Sequence, residues 1–342
     1  MKRIALAIAW LGLAIAVCPS EPAAAPGRSG LGLEVELDAS VPADVRQRVL
    51  AEIRATGVNV FALSLSWLAI EREPGMYDLG EFLRSARLLR QSGAIVHLDL
   101  PIVAGRRRDV PADLDRVAFD DERFQTRLGR LLAALQPALL DASTLSLGYG
   151  ADAYFADKKE ELEAFRRLMG GVRAALARSA PQLRVGVTTA APGESVAPEV
   201  ATALQESASV SLFIYAPFER ASPFTHRTPD ALEHDWKLLL ARAGDRPVAF
   251  PEVSYSSSRE NGSSPERQAE FVRRFRRFLS AADGHRLLFA RYAAWRDSPP
   301  GASTADATPV GRRKAAFYAN RGLQTVDGQA KPAWAEWVKK TH

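Results

Sequence analysis

The stretch that decides the fold is Arg246-Pro-Val-Ala-Phe-Pro-Glu-Val-Ser-Tyr-Ser-Ser-Ser258, a short apolar run that ends in a single carboxylate, Glu252. A run of this kind, bounded by proline and serine, predicts a buried parallel strand whose carboxyl end opens into a loop. In barrels of alternating strands and helices, that end of each strand carries the substrate chemistry, so Glu252 is a candidate catalytic acid. The alternative is an ion pair between Glu252 and one of the many arginines.

The rest of the chain alternates between apolar runs and stretches with apolar residues at helical spacing. The predicted strands are 31–37, 58–67, 94–102, 143–148, 183–189, 210–215, the strand that contains Glu252, and 287–295. No linker rich in proline, glycine or serine divides this pattern. It predicts an α/β fold, a single (β/α)8 TIM barrel over residues 30–342. A doubly wound open sheet is the alternative, but no G-x-G-x-x-G turn follows the first strand.

Residues 1–25 form a separate segment. Lys2 and Arg3 precede an apolar run, and Ala23-Ala24-Ala25 ends it, which is typical of a secretory signal peptide. Two outcomes are open for Cys18, the single cysteine. It is either lost with the leader or, since 15–18 resembles a lipoprotein processing box, lipidated as a membrane attachment, although Val17 departs from that box. We therefore expect export to the periplasm or cell surface.

Composition sets limits on partners and cofactors. The chain of 342 residues is 47% hydrophobic and 25% charged, as in ordinary globular proteins. Its net charge of +5 becomes +4 when the leader, with two basic residues and one acidic residue, is removed. The five histidines are scattered without ligand spacing, and no G-x-S-x-G motif or nucleic-acid-binding module is present. We expect a monomer that takes no metal or other cofactor and no nucleic acid.

Several segments together resemble the clan A glycoside hydrolases, which are retaining (β/α)8 glycosidases. Residues 57–67, followed by Ile70-Glu71 and 74–78, are similar to their strand-two region, and 247–257 looks like their seventh strand. The closing segment, 322–334, is also similar to many bacterial members. The resemblance implies a polysaccharide or oligosaccharide as the partner, and it implies that Glu252 is the nucleophile.

One departure from that family concerns the second catalytic carboxylate. Members end strand four with Asn-Glu, where the glutamate is the acid/base, whereas this chain reads Gly148-Tyr149-Gly150-Ala151-Asp152-Ala153-Tyr154. A retaining glycosidase needs two carboxyl groups about 5 Å apart, and glycine supplies none. Asp152 is the nearest replacement, with helix capping as its alternative role. Glu71, Asp99 and Asp297 are further acids near predicted strand ends.

Aromatic residues at strand ends are candidates for stacking on sugar rings, with core packing as the alternative for each. They are Trp67, Tyr149, Tyr215 and Trp295. The resemblance implies that Tyr215 holds the nucleophile by a hydrogen bond. His97 and Asp99, two residues apart on strand three, project to the same side, either into the barrel or toward the helices, and Asp99 is a further candidate for substrate binding.

Two functions follow from these observations. One is a glycoside hydrolase that acts on or binds an extracellular or cell-envelope polysaccharide, with Glu252 retained and the usual acid/base absent. The other is a catalytically inactive pseudo-glycosidase that binds a glycan. The family resemblance favours a carbohydrate ligand in both cases, and Gly150 favours the second.

Overall fold

In a computed structural model, which describes residues 27–35, 42–191, 193–299 and 307–339, eight parallel strands form a closed barrel. The strands are β1 (Gly30–Leu33), β2 (Val60–Ser64), β3 (Ile95–Ala104), β4 (Thr144–Tyr149), β5 (Arg184–Ala190), β6 (Ser211–Tyr215), β7 (Val248–Val253) and β8 (Leu287–Tyr292). Each strand lies beside the next in the chain, and β1 pairs with β8 from Gly30 opposite Phe289 to Leu33 opposite Tyr292. The predicted (β/α)8 fold is confirmed.

Helices connect these strands. They are α1 (Ala43–Ala55), α2 (Trp67–Ile70), α3 (Gly80–Gln91), α4 (Glu122–Ala134), α5 (Gln136–Asp141), α6 (Ala151–Asp157), α7 (Leu162–Ser179), α8 (Pro198–Glu206), α9 (Ala231–Arg242), α10 (Pro265–Ala281), α11 (Pro309–Ala319) and α12 (Pro332–Val338). At the start of α10, Ser264 accepts a hydrogen bond from the Arg267 backbone N–H, and Pro265 is the first helical residue. Leu135 separates α4 from α5, and Pro137 lies in the first turn of α5.

The chain divides into two compact units. Phe61–Leu212 makes up most of the first. In its core, Val96, Leu98 and Leu100 of β3 pack with helix residues such as Phe82 and Phe124. Because side chains alternate along a strand, His97 and Asp99 lie on the opposite face, inside the barrel.

The second unit contains Phe213 onward together with β1 and residues Ala51–Val60. Its core is aromatic: the rings of Trp236 and Phe250 stack with centroids 4.0 Å apart. The terminal helix α12 belongs to this core, because Trp337 is fully buried and its Nε1 donates to the Thr56 hydroxyl at 3.0 Å.

Short β-hairpins extend the loops that follow β2 and β6. The first pairs Glu71–Glu73 with Met76–Tyr77, and the second pairs Phe218–Glu219 with Ser222–His226. Within the described residues, no helix is both long and apolar enough to span a bilayer. The proposed signal peptide, with Cys18, and part of the loop after β8 lie outside the described residues.

Candidate functional site

Glu252 lies near the carboxyl end of β7, as the sequence predicts, and its side chain is 11% exposed. Its Oε1 accepts a hydrogen bond from Arg321 Nη1 at 2.5 Å and a longer one from the Ser254 hydroxyl at 3.3 Å. Glu252 therefore forms an ion pair, the alternative that its sequence context left open. Its partner, Arg321, belongs to no motif in the sequence. A charge-assisted contact of this kind fixes the orientation of the carboxylate as well as compensating its charge.

Arg321 also belongs to a longer chain of charges. Its Nη2 lies 4.0 Å from an oxygen of Glu34, which follows β1, and Arg291 of β8 approaches the other Glu34 oxygen at 3.4 Å. Positive and negative groups thus alternate from Arg291 through Glu34 and Arg321 to Glu252. The alternation leaves these four mostly buried side chains electrically balanced.

The backbone on both sides of Arg321 is held by buried polar side chains. The Lys331 ammonium donates to the Gly322 carbonyl at 3.0 Å and to Asp297 Oδ1 at 2.7 Å, and Asp297 accepts from the Gly322 N–H at 2.8 Å. Gln268 Nε2 lies 3.2 Å from the same carbonyl. A side chain at Gly322 would meet the backbone of Arg296 and Asp297 at 2.1 Å, so only glycine fits this crossing.

Burial disfavours the charged forms of Lys331 and Asp297, and each of the two favours the charged form of the other. Burial lowers the pKa of the Lys331 ammonium, whereas the Asp297 carboxylate raises it. Burial also raises the pKa of Asp297, and the hydrogen bond and charge of Lys331 lower it. Asp297, considered from the sequence as a substitute acid, is therefore committed to holding the Arg321 segment in place.

Tyr318 is a second residue beside Glu252 that sequence reasoning missed. It lies near the end of α11, one helical turn before Arg321, and the Arg321 guanidinium carbon is 5.0 Å from the centre of its ring. Burial raises the pKa of the Tyr318 hydroxyl, the negative charge of Glu252 raises it further, and Arg321 opposes both. Glu252 thus has an aromatic hydroxyl and an arginine, both from the same segment, in its electrostatic neighbourhood.

Tyr215 and Trp295, the predicted aromatic residues of this unit, are both buried. The Tyr215 hydroxyl donates to Asp235 Oδ2 at 2.9 Å, and the contact with Glu252 that the resemblance implies stays a prediction. Trp295 follows β8, and the Arg296 guanidinium carbon lies 4.1 Å from the centre of its ring. The burial of both residues favours core packing, the alternative that was open for each.

In the other unit, Gly150 is the residue that the resemblance aligns with the family's acid/base. Its backbone has φ 59° and ψ 34°, in the left-handed region, and it forms the N-terminal boundary of α6. Residues with a side chain enter this region at a cost of roughly 1–2 kcal/mol. Tyr149, the last residue of β4, is partly exposed. The strand-four end therefore has a backbone conformation that favours glycine, and Gly150 supplies no carboxylate there.

Asp152, the suggested substitute acid, lies in the first turn of α6 and is 2% exposed. Its two oxygens accept from the Ala190 N–H at 3.0 Å and from the Ser195 hydroxyl at 2.6 Å. Burial raises the pKa of the Asp152 carboxyl, while the bonds from Ser195 and Ala190 lower it. Its contacts join α6 to the segment after β5, and the catalytic role of Asp152 stays a prediction.

Asp99 lies in a buried polar row inside the barrel. His97 Nε2 is 3.1 Å from Asp99 Oδ1, and His97 Nδ1 is 2.7 Å from the Thr144 hydroxyl. The exposed Ser64, at the end of β2, donates to the other Asp99 oxygen at 3.4 Å. This row settles which way His97 and Asp99 face, and it reaches the strand-end surface at Ser64.

Trp67 and Glu71 follow β2 but point into the protein. Trp67 is fully buried, and its Nε1 donates to Glu71 Oε2 at 2.5 Å. The other Glu71 oxygen accepts from Arg127 Nε at 2.6 Å. These contacts favour core packing for Trp67. Among the described residues, no cluster of three or more His, Cys, Asp or Glu side chains could hold a metal ion.

Comparisons with known proteins bear on the fold of this chain only. No family model and no curated protein matches the chain. A GH5_18 protein from Streptomyces cattleya, solved with Manβ1-4GlcNAc, is similar with a TM-score of 0.68 and 15% identity over 91% of this chain and 79% of that one. A GH5_18 protein from Bifidobacterium longum subsp. infantis gives a TM-score of 0.65 and 13% identity over 91% and 78% of the two chains.

An exo-β-1,4-mannosidase from Opitutaceae bacterium strain TAV5 is also similar, with a TM-score of 0.63 and 17% identity over 93% of this chain and 60% of that one. At these identities the likeness establishes the fold and not the activity. The chain has the glycoside-hydrolase-like (β/α)8 barrel that the sequence motifs predicted.

Proposed function

We propose that this protein binds a β-linked polysaccharide or its fragments at the carboxyl end of the barrel and does not hydrolyse them by the usual two-carboxylate mechanism. The observation that carries the proposal is the strand-four end. Gly150, in a left-handed conformation, stands at the acid/base position, and both oxygens of Asp152 already accept hydrogen bonds. Since general acid–base assistance contributes about 10²- to 10⁴-fold, unactivated glycans would react very slowly.

In this role Glu252 and Arg321 are hydrogen-bonding groups for sugar hydroxyls. Two structural neighbours favour a β-linked sugar as the first ligand to test, since one is bound to Manβ1-4GlcNAc and another is an exo-β-1,4-mannosidase. Suitable probes are Manβ1-4GlcNAc and the β-1,4-linked mannooligosaccharides and cellooligosaccharides, titrated by calorimetry. Binding that Glu252→Ala weakens supports the proposal. A wild-type protein that binds none of these probes overturns it.

A second function, a glycosidase with Glu252 as nucleophile, is favoured by the way Arg321 and Ser254 orient that carboxylate. A 2,4-dinitrophenyl glycoside separates the two functions, because its leaving group departs without protonation. A Glu252 carboxylate oxygen would form a bond to the anomeric carbon, and the phenolate would leave with the electron pair. A burst of one equivalent of phenolate, with the glycosyl mass on Glu252, supports the enzyme. Binding without any release supports the pseudo-glycosidase.

Export remains part of the proposal, on the basis of the leader in residues 1–25. We further propose that Cys18 is either lipidated or removed with the leader. Cells fed a clickable fatty acid distinguish these outcomes: label that disappears in Cys18→Ser identifies an anchor, whereas equal labelling of both chains excludes lipidation at this residue.

A further inference from the structure

A cluster of aromatic rings lies beside Glu252 in two layers. It joins the hairpin after β6, the segment after β7 and the end of α11. The inner layer is buried and consists of His226, Tyr255 and Phe317, while the outer layer is partly exposed and consists of Phe218, Phe224 and Tyr318. The layers are in direct contact, since Phe224 lies 5.9 Å and Phe218 lies 5.0 Å from Phe317 between ring centres. The buried rings therefore form a rigid support under the exposed ones.

Phe224 has an unfavourable backbone conformation. Its φ is +64°, and it is the one residue other than glycine with a positive φ among the described parts of the chain. The buried Asn261 side chain fixes this conformation by donating to the Phe224 carbonyl and to the Arg313 carbonyl, each at 2.8 Å. A bulky residue in the left-handed region persists only when its surroundings enforce it, and such residues concentrate at ligand-binding sites.

The outer rings form a continuous path to Glu252. The Phe224 and Tyr318 ring centres are 6.4 Å apart, with an angle of 54° between the ring planes. Tyr318 is in turn covered by Arg321, which is bonded to Glu252. The angle means that the two rings would serve neighbouring sugar units rather than form one flat surface. The path thus begins at hydrogen-bonding groups and continues over partly exposed rings.

We propose that Tyr318 and Phe224 form a sugar-stacking subsite adjacent to Glu252, so that the site takes an oligosaccharide rather than a single sugar. This inference rests on the proposed function. A glycan fits the arrangement because a pyranose ring presents apolar C–H faces to aromatic rings and hydroxyls to charged side chains, and both kinds of partner lie side by side here.

The test is the dependence of affinity on chain length. Calorimetry with β-1,4-linked mannooligosaccharides and cellooligosaccharides of one to six units compares wild type with Phe224→Ala and Tyr318→Ala. We expect the wild type to gain affinity as units are added, and each variant to lose roughly 3- to 10-fold on the longer chains with little change for the monosaccharide. Phe224→Trp, which keeps a stacking ring, should retain the gain.

Two controls separate stacking from other effects. Tyr318→Phe keeps the ring and removes the hydroxyl beside Glu252, so it should behave as wild type on long chains. A loss equal to that of Tyr318→Ala would overturn the stacking role. Phe224→Leu, matched in melting temperature to the wild type, replaces Phe224→Ala should the latter fail to fold. A folded variant with unchanged length dependence refutes the subsite while leaving glycan binding intact, whereas a wild type that binds no probe refutes the proposed function itself.

Discussion

Restoring the missing carboxylate is the most informative perturbation. The backbone at residue 150 determines how much stability this change costs. Gly150→Glu with Tyr149→Asn reinstates the family's Asn-Glu pair at the end of β4. Because Gly150 has φ 59°, the new side chain must adopt a left-handed backbone, at about 1–2 kcal/mol. At about 2–4 °C per kcal/mol for a large domain, the double variant should melt roughly 2–8 °C below the wild type.

The catalytic gain should exceed this loss of stability. If the absent acid is the main defect, the double variant should hydrolyse mannooligosaccharides about 10²- to 10⁴-fold faster than a matched Gly150→Gln, Tyr149→Asn chain. The glutamine control has the same backbone strain and the same shape but cannot donate a proton. Activity should fall as pH rises through the pKa of the introduced carboxyl, since it must be protonated to act as the acid.

Reducing-sugar release over a pH series, with melting curves for every variant, makes the comparison. Adding Glu252→Gln to the double variant should abolish the gained activity. A double variant that folds and binds glycan, yet stays inert even on dinitrophenyl glycosides, would refute the idea that one missing acid separates this chain from a hydrolase. Glu252 would then be a hydrogen-bonding partner for sugar hydroxyls, and binding would be the better description.

Three further predictions concern charge and pH. Arg321→Met should destabilise the fold by roughly 1–3 kcal/mol because it removes the guanidinium that donates to Glu252. Adding Glu252→Gln should recover part of that loss in a denaturant titration, whereas additive effects would exclude the coupling. Burial lowers the pKa of His226 from its ordinary 6.5 to about 3. The free energy of unfolding should therefore fall as pH drops from 6.5 toward 3, by about 2 kcal/mol at pH 5. A His226→Gln chain that loses stability with falling pH as steeply as the wild type would contradict this. Asp152→Asn should be as stable as wild type or more so at pH 7. The reason is that a carboxyl with a raised pKa in the fold stabilises the fold at low pH and loses that contribution as pH rises. Loss of activity in this well-folded variant would reveal a catalytic role, and a lower melting temperature at pH 7 would show that the charge itself is needed.

The barrel and the position of Glu252 could be predicted from sequence because both depend on local pattern. An apolar run bounded by proline and serine specifies a buried strand and its exit, whatever the rest of the chain does. Arg321 could not be predicted, since it is one of 45 basic residues and lies 69 positions from its partner. Its role depends on a backbone crossing at Gly322, which no local pattern reveals.

The direction of side chains was another feature that could not be predicted from the sequence. Tyr215 and Trp67 lie at or just after strand ends, as expected, but their partners are Asp235 and Glu71, on neighbouring helical and hairpin segments. At Gly150 the backbone conformation, rather than the side-chain direction, could not be predicted. The missing carboxylate was evident from the residue type, whereas the left-handed backbone became evident only in three dimensions.

The charges around Glu252 bear on which function is the better proposal. A mostly buried ion pair contributes little net stability, and apolar replacements of similar volume are often neutral or stabilising. The ion pairs of Glu252, Arg321 and Glu34 are therefore weak evidence for a stabilising role, although removing any one of these side chains alone would be costly. A carboxylate kept oriented at the strand-end face, next to partly exposed rings, is better explained by a ligand that uses it. The strand-four end carries no comparable group in that role: Gly150 has no side chain and Asp152 is committed to Ala190 and Ser195. This asymmetry, with one carboxylate supported and the other replaced by a backbone turn, is what a site that binds glycans without the usual acid would show.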